Sequence, residues 1–164
     1  MKRSEINAAI ERAAQFFDRM GFRLPEFAFY TPERWLTLGP EYDEIRDTML
    51  GWDCADFGRG QFREQGLLLF TIRNGHMAMA DRYPKPYCEK LLIVGEGQVT
   101  PCHYHFNEVE DIICRGGGNL MVQVWNRDEQ DQLASADVRV NCDGRDFTVT
   151  AGSVLRLTPG ESIT

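Results

Sequence analysis

The stretch from Gly97 to Gly118, GQVTPCHYHFNEVEDIICRGGG, contains two of the three histidines of the chain, His103 and His105. On a strand, residues two apart point to the same side, so the two imidazoles would stand side by side while Tyr104 points away. Glu110 follows after a polar segment that is long enough for a turn to return the chain beside the first strand. We therefore predict that His103, His105 and Glu110 converge on one ion.

The donor set limits the kind of ion. Two neutral imidazoles and one carboxylate suit manganese, iron, zinc, nickel or cobalt better than calcium or copper(I). A His-x-His pair alone is weaker evidence, because strand alternation also places such pairs on solvated faces. The third histidine, His76, has no such neighbours and is interpreted as a hydrogen-bonded or surface residue.

Glycines frame the histidines and the glutamate at fixed distances. From Gly97 to Gly117 the chain reads G-x5-H-x-H-x4-E-x6-G. This spacing resembles the first signature motif of the cupin superfamily. The resemblance implies a mainly β fold, a cupin jelly-roll β-barrel with a dry interior, and it implies that His103, His105 and Glu110 are metal ligands.

The second cupin motif is G-x5-P-x-G-x2-H-x3-N, and its histidine supplies a fourth ligand in that family. Gly160 matches the first glycine, and the sequence ends at Thr164. We therefore expect the chain to be truncated at its C-terminus, with the second motif cut off. On this interpretation a fourth ligand lies beyond Thr164.

A wider resemblance narrows the activity. The segments FYTPERW, DFGRGQFREQGLLLFTIRNG and YCEKLLIVGEGQVTPCHYHFNEVEDIICRGGGNLMVQVWN are similar to the D-lyxose isomerase family of cupins, over about Thr31 to Gly160. The resemblance implies a homodimeric aldose-ketose isomerase that interconverts D-lyxose with D-xylulose and D-mannose with D-fructose. It also implies a divalent metal, Mn²⁺ as the first expectation and Fe²⁺, Zn²⁺ or Co²⁺ as alternatives.

Proton transfer through an enediol needs a base and a group that stabilises negative charge. Lys90 precedes the motif in YCEKLLIV and is the candidate for the second role, provided that its strand turns it into the barrel. Glu110 is a candidate base, although a metal-bound carboxylate is a weak one. Otherwise the base lies beyond Thr164, and Glu89 and Glu108 are expected to be exposed.

Two other functions stay open from the sequence. An iron-dependent cupin dioxygenase would use the same kind of His/carboxylate site. A non-catalytic sugar-binding cupin would hold the sugar without turning it over. The chain carries no helix-turn-helix pattern or basic patch through which such a sensor would report to nucleic acid.

Composition excludes several partners. With 164 residues, 43% apolar and 26% charged, the chain fits one soluble domain. The net charge of -7 and the pI near 5.0 argue against binding to nucleic acid. Apolar runs are too short to span a bilayer, so we expect a cytoplasmic protein with a small sugar as its ligand. The five cysteines form no C-x-x-C pair and are interpreted as reduced, mostly buried thiols.

Two parts of the chain differ in pattern. Residues 1–65 are predicted to form an N-terminal helical segment: Ser4 is a plausible cap, Ala13 and Phe17 belong to an apolar face, and Thr31 before Pro32 starts a second helix. Residues 66–164 contain short apolar or alternating runs separated by Gly, Asn, Asp and Pro, which predicts an antiparallel β-sandwich or barrel. Without a linker, the two parts are expected to form a single domain.

Overall fold

The computed structural model describes residues 1–164 and divides them into two compact units, Met1–Cys102 and His103–Thr164. The chain is mainly β, with an N-terminal helix and antiparallel sheets, which confirms the predicted fold class. No helix has the length and apolar character needed to cross a bilayer. The domain boundary proposed between residues 65 and 66 stays a prediction.

The first unit begins with helices. They are α1 (Arg3–Arg19), α2 (Pro32–Trp35) and α3 (Asp43–Asp47), with 3-10 turns at Glu26–Phe29, Pro40–Tyr42 and Met77–Met79. The predicted start of α2 is confirmed, because the Thr31 hydroxyl accepts a hydrogen bond from the backbone N–H of Arg34 at 3.2 Å. The predicted cap of α1 at Ser4 is wrong. The cap is Lys2, two residues earlier, and the Glu5 carboxylate accepts the backbone N–H of Lys2 at 2.6 Å.

A three-stranded antiparallel sheet completes this unit, in the order β1 (Gly51–Ala55), β2 (Leu67–Arg73) and β3 (Glu89–Ile93). Strand β1 lies inside the range predicted to be helical, so the helical part ends at α3. Leu68 on β2 packs against the buried face of α1 formed by Ala9, Ala13 and Phe17. This contact explains the spacing of three and four residues in the sequence of α1.

Phe70 is the centre of the aromatic packing on this sheet. It is fully buried, and its ring centroid lies 4.9 Å from that of Trp52 and 5.4 Å from that of Phe27. The Trp52 indole N–H donates to the Ala28 carbonyl at 2.9 Å, so the polar atom of that ring is satisfied. These contacts join the Glu26–Phe29 turn to the sheet.

Polar contacts fix the segment that leads into β3. The Tyr83 hydroxyl donates to Asp47 of α3 at 2.6 Å, and burial together with this bond raises the pKa of Tyr83 to about 12. Arg82 reaches Asp43 at 2.9 Å and Asp47 at 3.3 Å. His76 lies in the same segment and is half-buried, and its Nδ1 atom has no hydrogen-bond partner. The interpretation of His76 as a hydrogen-bonded residue is therefore wrong for Nδ1.

The second unit is built from paired short strands. These are β4 (Ile112–Ile113) with β9 (Ser162–Ile163), β5 (Leu120–Gln123) with β8 (Val154–Leu157), and β6 (Val138–Cys142) with β7 (Arg145–Val149). All three pairs are antiparallel. Their inward side chains form one core, whose buried members are Cys114, Val138, Val140, Leu157 and Ile163. The loop that precedes β4 carries the candidate ligands.

Candidate metal centre

The candidate ligands lie on a loop rather than on strands. Residues 101–110 are irregular, and regular pairing starts only at β4. The prediction that His103 and His105 share a strand is therefore wrong. At its C-terminal end the loop is anchored next to β4, where the Asp111 carboxylate accepts the hydroxyl of Thr164.

The three predicted ligands nevertheless come together. The donor atoms of His103, His105 and Glu110 all lie within 4.8 Å of one another. The two imidazole rings are perpendicular, with their centroids 5.3 Å apart. His105 Nε2 lies 3.8 Å from the Glu110 carboxylate. The convergence expected from the G-x5-H-x-H-x4-E-x6-G spacing is thus present in the geometry.

The donor set fits a divalent transition metal. An ion bound at about 2.1 Å from each donor requires donor atoms no more than about 4.2 Å apart, which is twice the bond length. The observed limit of 4.8 Å exceeds this by a distance that side-chain torsions can close. Imidazole and carboxylate groups are borderline to hard ligands, which suits the ions expected from the sequence.

The cluster is open to solvent. His103, His105 and Glu110 are all exposed, so the expected dry pocket is not found around them. This exposure leaves room for a further ligand or a sugar oxygen beside the three donors. It also means that hydrogen bonds and ring contacts of the loop, rather than burial, must hold the side chains in place.

Glu108 stands on the other side of the His105 ring. Its carboxylate lies 3.8 Å from His105 Nδ1, whereas Glu110 faces Nε2 of the same ring at 3.8 Å. Each ring nitrogen of His105 thus faces a different carboxylate. In metal sites a carboxylate beside one nitrogen orients the ring so that the other nitrogen binds the ion, and here Glu108 would orient the ring and Nε2 would bind. As expected, Glu108 and Glu89 are exposed, and Glu89 pairs with Arg73 at 2.9 Å.

Aromatic side chains occupy the positions that alternate with the histidines in residues 101–110, which we call the ligand loop. The rings of Tyr104 and Phe106 meet at a centroid distance of 4.9 Å, with a tilt of 69° between their planes. The Arg127 guanidinium lies over both rings, 5.3 Å from the first and 5.6 Å from the second. Asp131 binds Arg127 at 2.5 Å. Burial, and then the neighbouring Asp131 carboxylate, raise the pKa of Tyr104.

The sequence did not identify this aromatic cluster. Tyr104 was expected to turn away from the histidines. Arg127 and Asp131 lie in the polar segment NRDEQD, more than twenty positions after Tyr104 and Phe106. Only the spacing of four between the two charges signals their ion pair. Nothing in the sequence connects that pair to the loop.

Lys90 lies in the first unit, on β3. The neighbouring Leu91 and Ile93 pack in the core under α1, and side chains alternate along a strand. Lys90 is exposed, so it occupies the face of the sheet opposite to the one that α1 covers. Its predicted direction into a barrel stays a prediction.

The cysteines follow the expectation only in part. Cys114 is buried in the core of the second unit, whereas Cys102 and Cys88 are exposed. The interpretation of the cysteines as mostly buried thiols is wrong for Cys102, which precedes His103 on the exposed loop. Cys54 and Cys142 are half-buried, and burial raises the pKa of each thiol, which disfavours the reactive thiolate.

Comparison with known proteins agrees with the resemblance found in the sequence. A family model described as D-lyxose isomerase matches residues 1–164. The chain is 48% identical over 164 residues to a D-lyxose/D-mannose isomerase of Escherichia coli O157:H7, and 46% identical to one of Serratia proteamaculans. Each alignment covers 99% of this chain and 72% of the relative. The chain therefore belongs to the D-lyxose isomerase family.

Proposed function

We propose that this protein is a metal-dependent aldose-ketose isomerase that converts D-lyxose to D-xylulose and D-mannose to D-fructose. The observation that carries the proposal is the convergence of His103, His105 and Glu110, in a chain similar to two proteins named D-lyxose/D-mannose isomerase. We propose Mn²⁺ as the ion, with Fe²⁺, Zn²⁺ and Co²⁺ as alternatives.

The chemistry requires a proton to move between C1 and C2 of the open-chain sugar. A divalent ion at this site would supply a Lewis acid that favours the enediol form. His103, His105 and Glu110 would hold that ion, and their exposed positions leave one side open to the sugar. Glu110 also offers a carboxylate oxygen for proton transfer, if one of its two oxygens remains outside the coordination shell.

The test measures ketose formation from D-lyxose and D-mannose in three samples: the chain with Mn²⁺, the chain after a chelator has removed the metal, and the chelated chain with Mn²⁺ added back. We expect ketose with Mn²⁺, a loss of nearly all activity after chelation, and recovery when the ion is added back. Activity that survives complete chelation would contradict metal dependence. Oxygen uptake in place of ketose formation would favour the dioxygenase.

We propose that Lys90 stabilises negative charge on a sugar oxygen. Replacing Lys90 with methionine keeps the length and apolar stem of the side chain but removes the ammonium group. Because one positioned charge typically contributes a factor of 100 to 1,000 in rate, we expect kcat/KM for D-lyxose to fall about 100-fold. Mn²⁺ affinity should not change, since Lys90 is not among the clustered donors.

Lys2→Met is the matched control, because Lys2 is an exposed lysine of the same unit and lies at the start of α1. This variant should keep the activity of the unmodified chain. If Lys90→Met retains kcat/KM to within about twofold, Lys90 has no role in the reaction. The proposal that His103, His105 and Glu110 bind the metal would still stand, because it is tested separately.

Two further proposals concern the environment of the enzyme. We propose a homodimer that acts in the cytoplasm on small sugars. Both are what the resemblance to the D-lyxose isomerase family implies. Sedimentation of the purified chain would determine its oligomeric state.

A further inference from the structure

We propose that Arg127, paired with Asp131, is a positioning residue that fixes the ligand loop through the rings of Tyr104 and Phe106, and thereby sets the affinity and geometry of the metal site. This inference rests on the proposed function, since it concerns the same ion. It assigns a role to charged residues that lie outside the donor cluster.

The argument starts from how weakly the loop is held otherwise. Residues 101–110 have no regular secondary structure, and the three donors on them are exposed. Neither a strand ladder nor a tightly packed core therefore fixes the imidazoles. Contacts of the side chains between the donors can supply part of that restraint.

Tyr104 and Phe106 are those side chains. Each is next in sequence to His105, and Tyr104 is also next to His103. Their rings pack on each other at 4.9 Å, although Phe106 is 73% exposed. A pair of rings at the surface has several alternative rotamers, so something must select one of them.

Arg127 supplies that selection. Its guanidinium lies 5.3 Å from the Tyr104 ring centroid and 5.6 Å from that of Phe106, within the range of cation–π attraction for both. A single flat cation over two rings restricts both at once. Because the rings alternate with the histidines, fixing the rings restricts the backbone that carries the imidazoles.

Asp131 fixes Arg127 in turn. The Arg127–Asp131 pair is 2.5 Å long, and the backbone of this segment is closed by the bridge between Arg127 and Leu133. The Asp128 carboxylate accepts the backbone N–H groups of Gln130 and Gln132 at 2.9 Å each. The cation therefore projects from a turn that is ordered by its own hydrogen bonds.

The experiment compares Mn²⁺ binding by the unmodified chain and by Arg127→Gln, with free Mn²⁺ measured by electron paramagnetic resonance. We expect the dissociation constant to rise about 10-fold, the lower end of the range for groups that orient metal ligands. The absorption spectrum of bound Co²⁺ should change as well, because its intensity follows the geometry of the donors. Arg127→Lys keeps the cation but not the flat group, and should recover part of the affinity.

Matched controls come from the same unit. Arg145 lies over the Phe147 ring at 5.1 Å, and Arg139 pairs with Asp146 at 2.6 Å. Arg145→Gln and Arg139→Gln remove the same charge and the same kinds of contact from the β6–β7 hairpin. Both should leave the Mn²⁺ dissociation constant and the Co²⁺ spectrum unchanged.

The outcomes separate this inference from the proposed function. If the unmodified chain binds none of Mn²⁺, Fe²⁺, Zn²⁺ and Co²⁺, the metal-dependent function and this inference both fail. If it binds Mn²⁺ and Arg127→Gln binds it as tightly as Arg145→Gln does, only the positioning role fails. If Arg127→Gln lowers the melting temperature, the Mn²⁺ dissociation constant of Phe106→Leu is measured instead, because this variant removes only an exposed ring. An unchanged dissociation constant in Phe106→Leu would also overturn the inference.

Discussion

His105→Gln is expected to bind Mn²⁺ at least about 100-fold more weakly than the unmodified chain, because changes to residues that merely orient a ligand already cost 10- to 100-fold. The glutamine side chain replaces a basic imidazole nitrogen with a weakly coordinating amide. His105 also faces both Glu108 and Glu110 at 3.8 Å, so its loss removes the group between the two carboxylates. Ketose formation from D-lyxose should fall by a factor of about 1,000.

His76→Gln is the control, because His76 is the one histidine outside the donor cluster. Isothermal titration with Mn²⁺ and a ketose assay should be run on both variants at equal protein concentration. The control should keep the Mn²⁺ affinity and the isomerase activity of the unmodified chain. Equal loss in the two variants would show that the effect does not come from the cluster.

Phe70→Ala is expected to lower the free energy of unfolding by about 3–5 kcal/mol, the usual cost of removing a buried aromatic ring. Phe70 is fully buried, and the cavity would lie between Trp52 and Phe27, whose rings it now contacts. Those rings belong to β1 and to the Glu26–Phe29 turn, so neither can fill the space without moving a backbone segment. Urea denaturation followed by tryptophan fluorescence would measure the loss.

Phe29→Ala is the matched control for that change. Phe29 is 62% exposed and lies in the same 3-10 turn as Phe27. Its removal deletes the same atoms but leaves no enclosed cavity, so the free energy of unfolding should change by no more than about 0.5 kcal/mol. A loss of several kcal/mol in this control would show that the turn, rather than the buried ring, carries the stability.

The cluster of candidate ligands could be predicted from the sequence because it is local. His103, His105 and Glu110 lie within eight consecutive residues, so a single reversal of the backbone brings their side chains together. For this reason the prediction of convergence succeeded although the predicted strand is a loop. The buried face of α1, with Ala13 and Phe17, could be predicted for the same reason, because helical periodicity is also a local property of the sequence.

Features that depend on distant pairing could not be predicted in this way. Strand β1 lies in a segment that resembled the helical part, and only its pairing with β2 defines it as a strand. The contact of Arg127 with the loop joins residues more than twenty positions apart, and no periodic pattern encodes such a distance. The exposure of Cys102 follows from the irregular loop, whereas alternation on a strand would have been compatible with burial.

The short span of the ligand loop bears on how the site assembles during folding. Bringing His103 and Glu110 together closes a segment of only eight residues, and the entropy lost on loop closure grows with the logarithm of the length. The β4–β9 pair, by contrast, joins Ile112 with Ile163 across about fifty residues. Closure of such a short segment takes far less time than pairing across fifty residues. We therefore expect the donors to approach one another early, whereas the pairing of β4 with β9, which anchors the end of the loop, forms later.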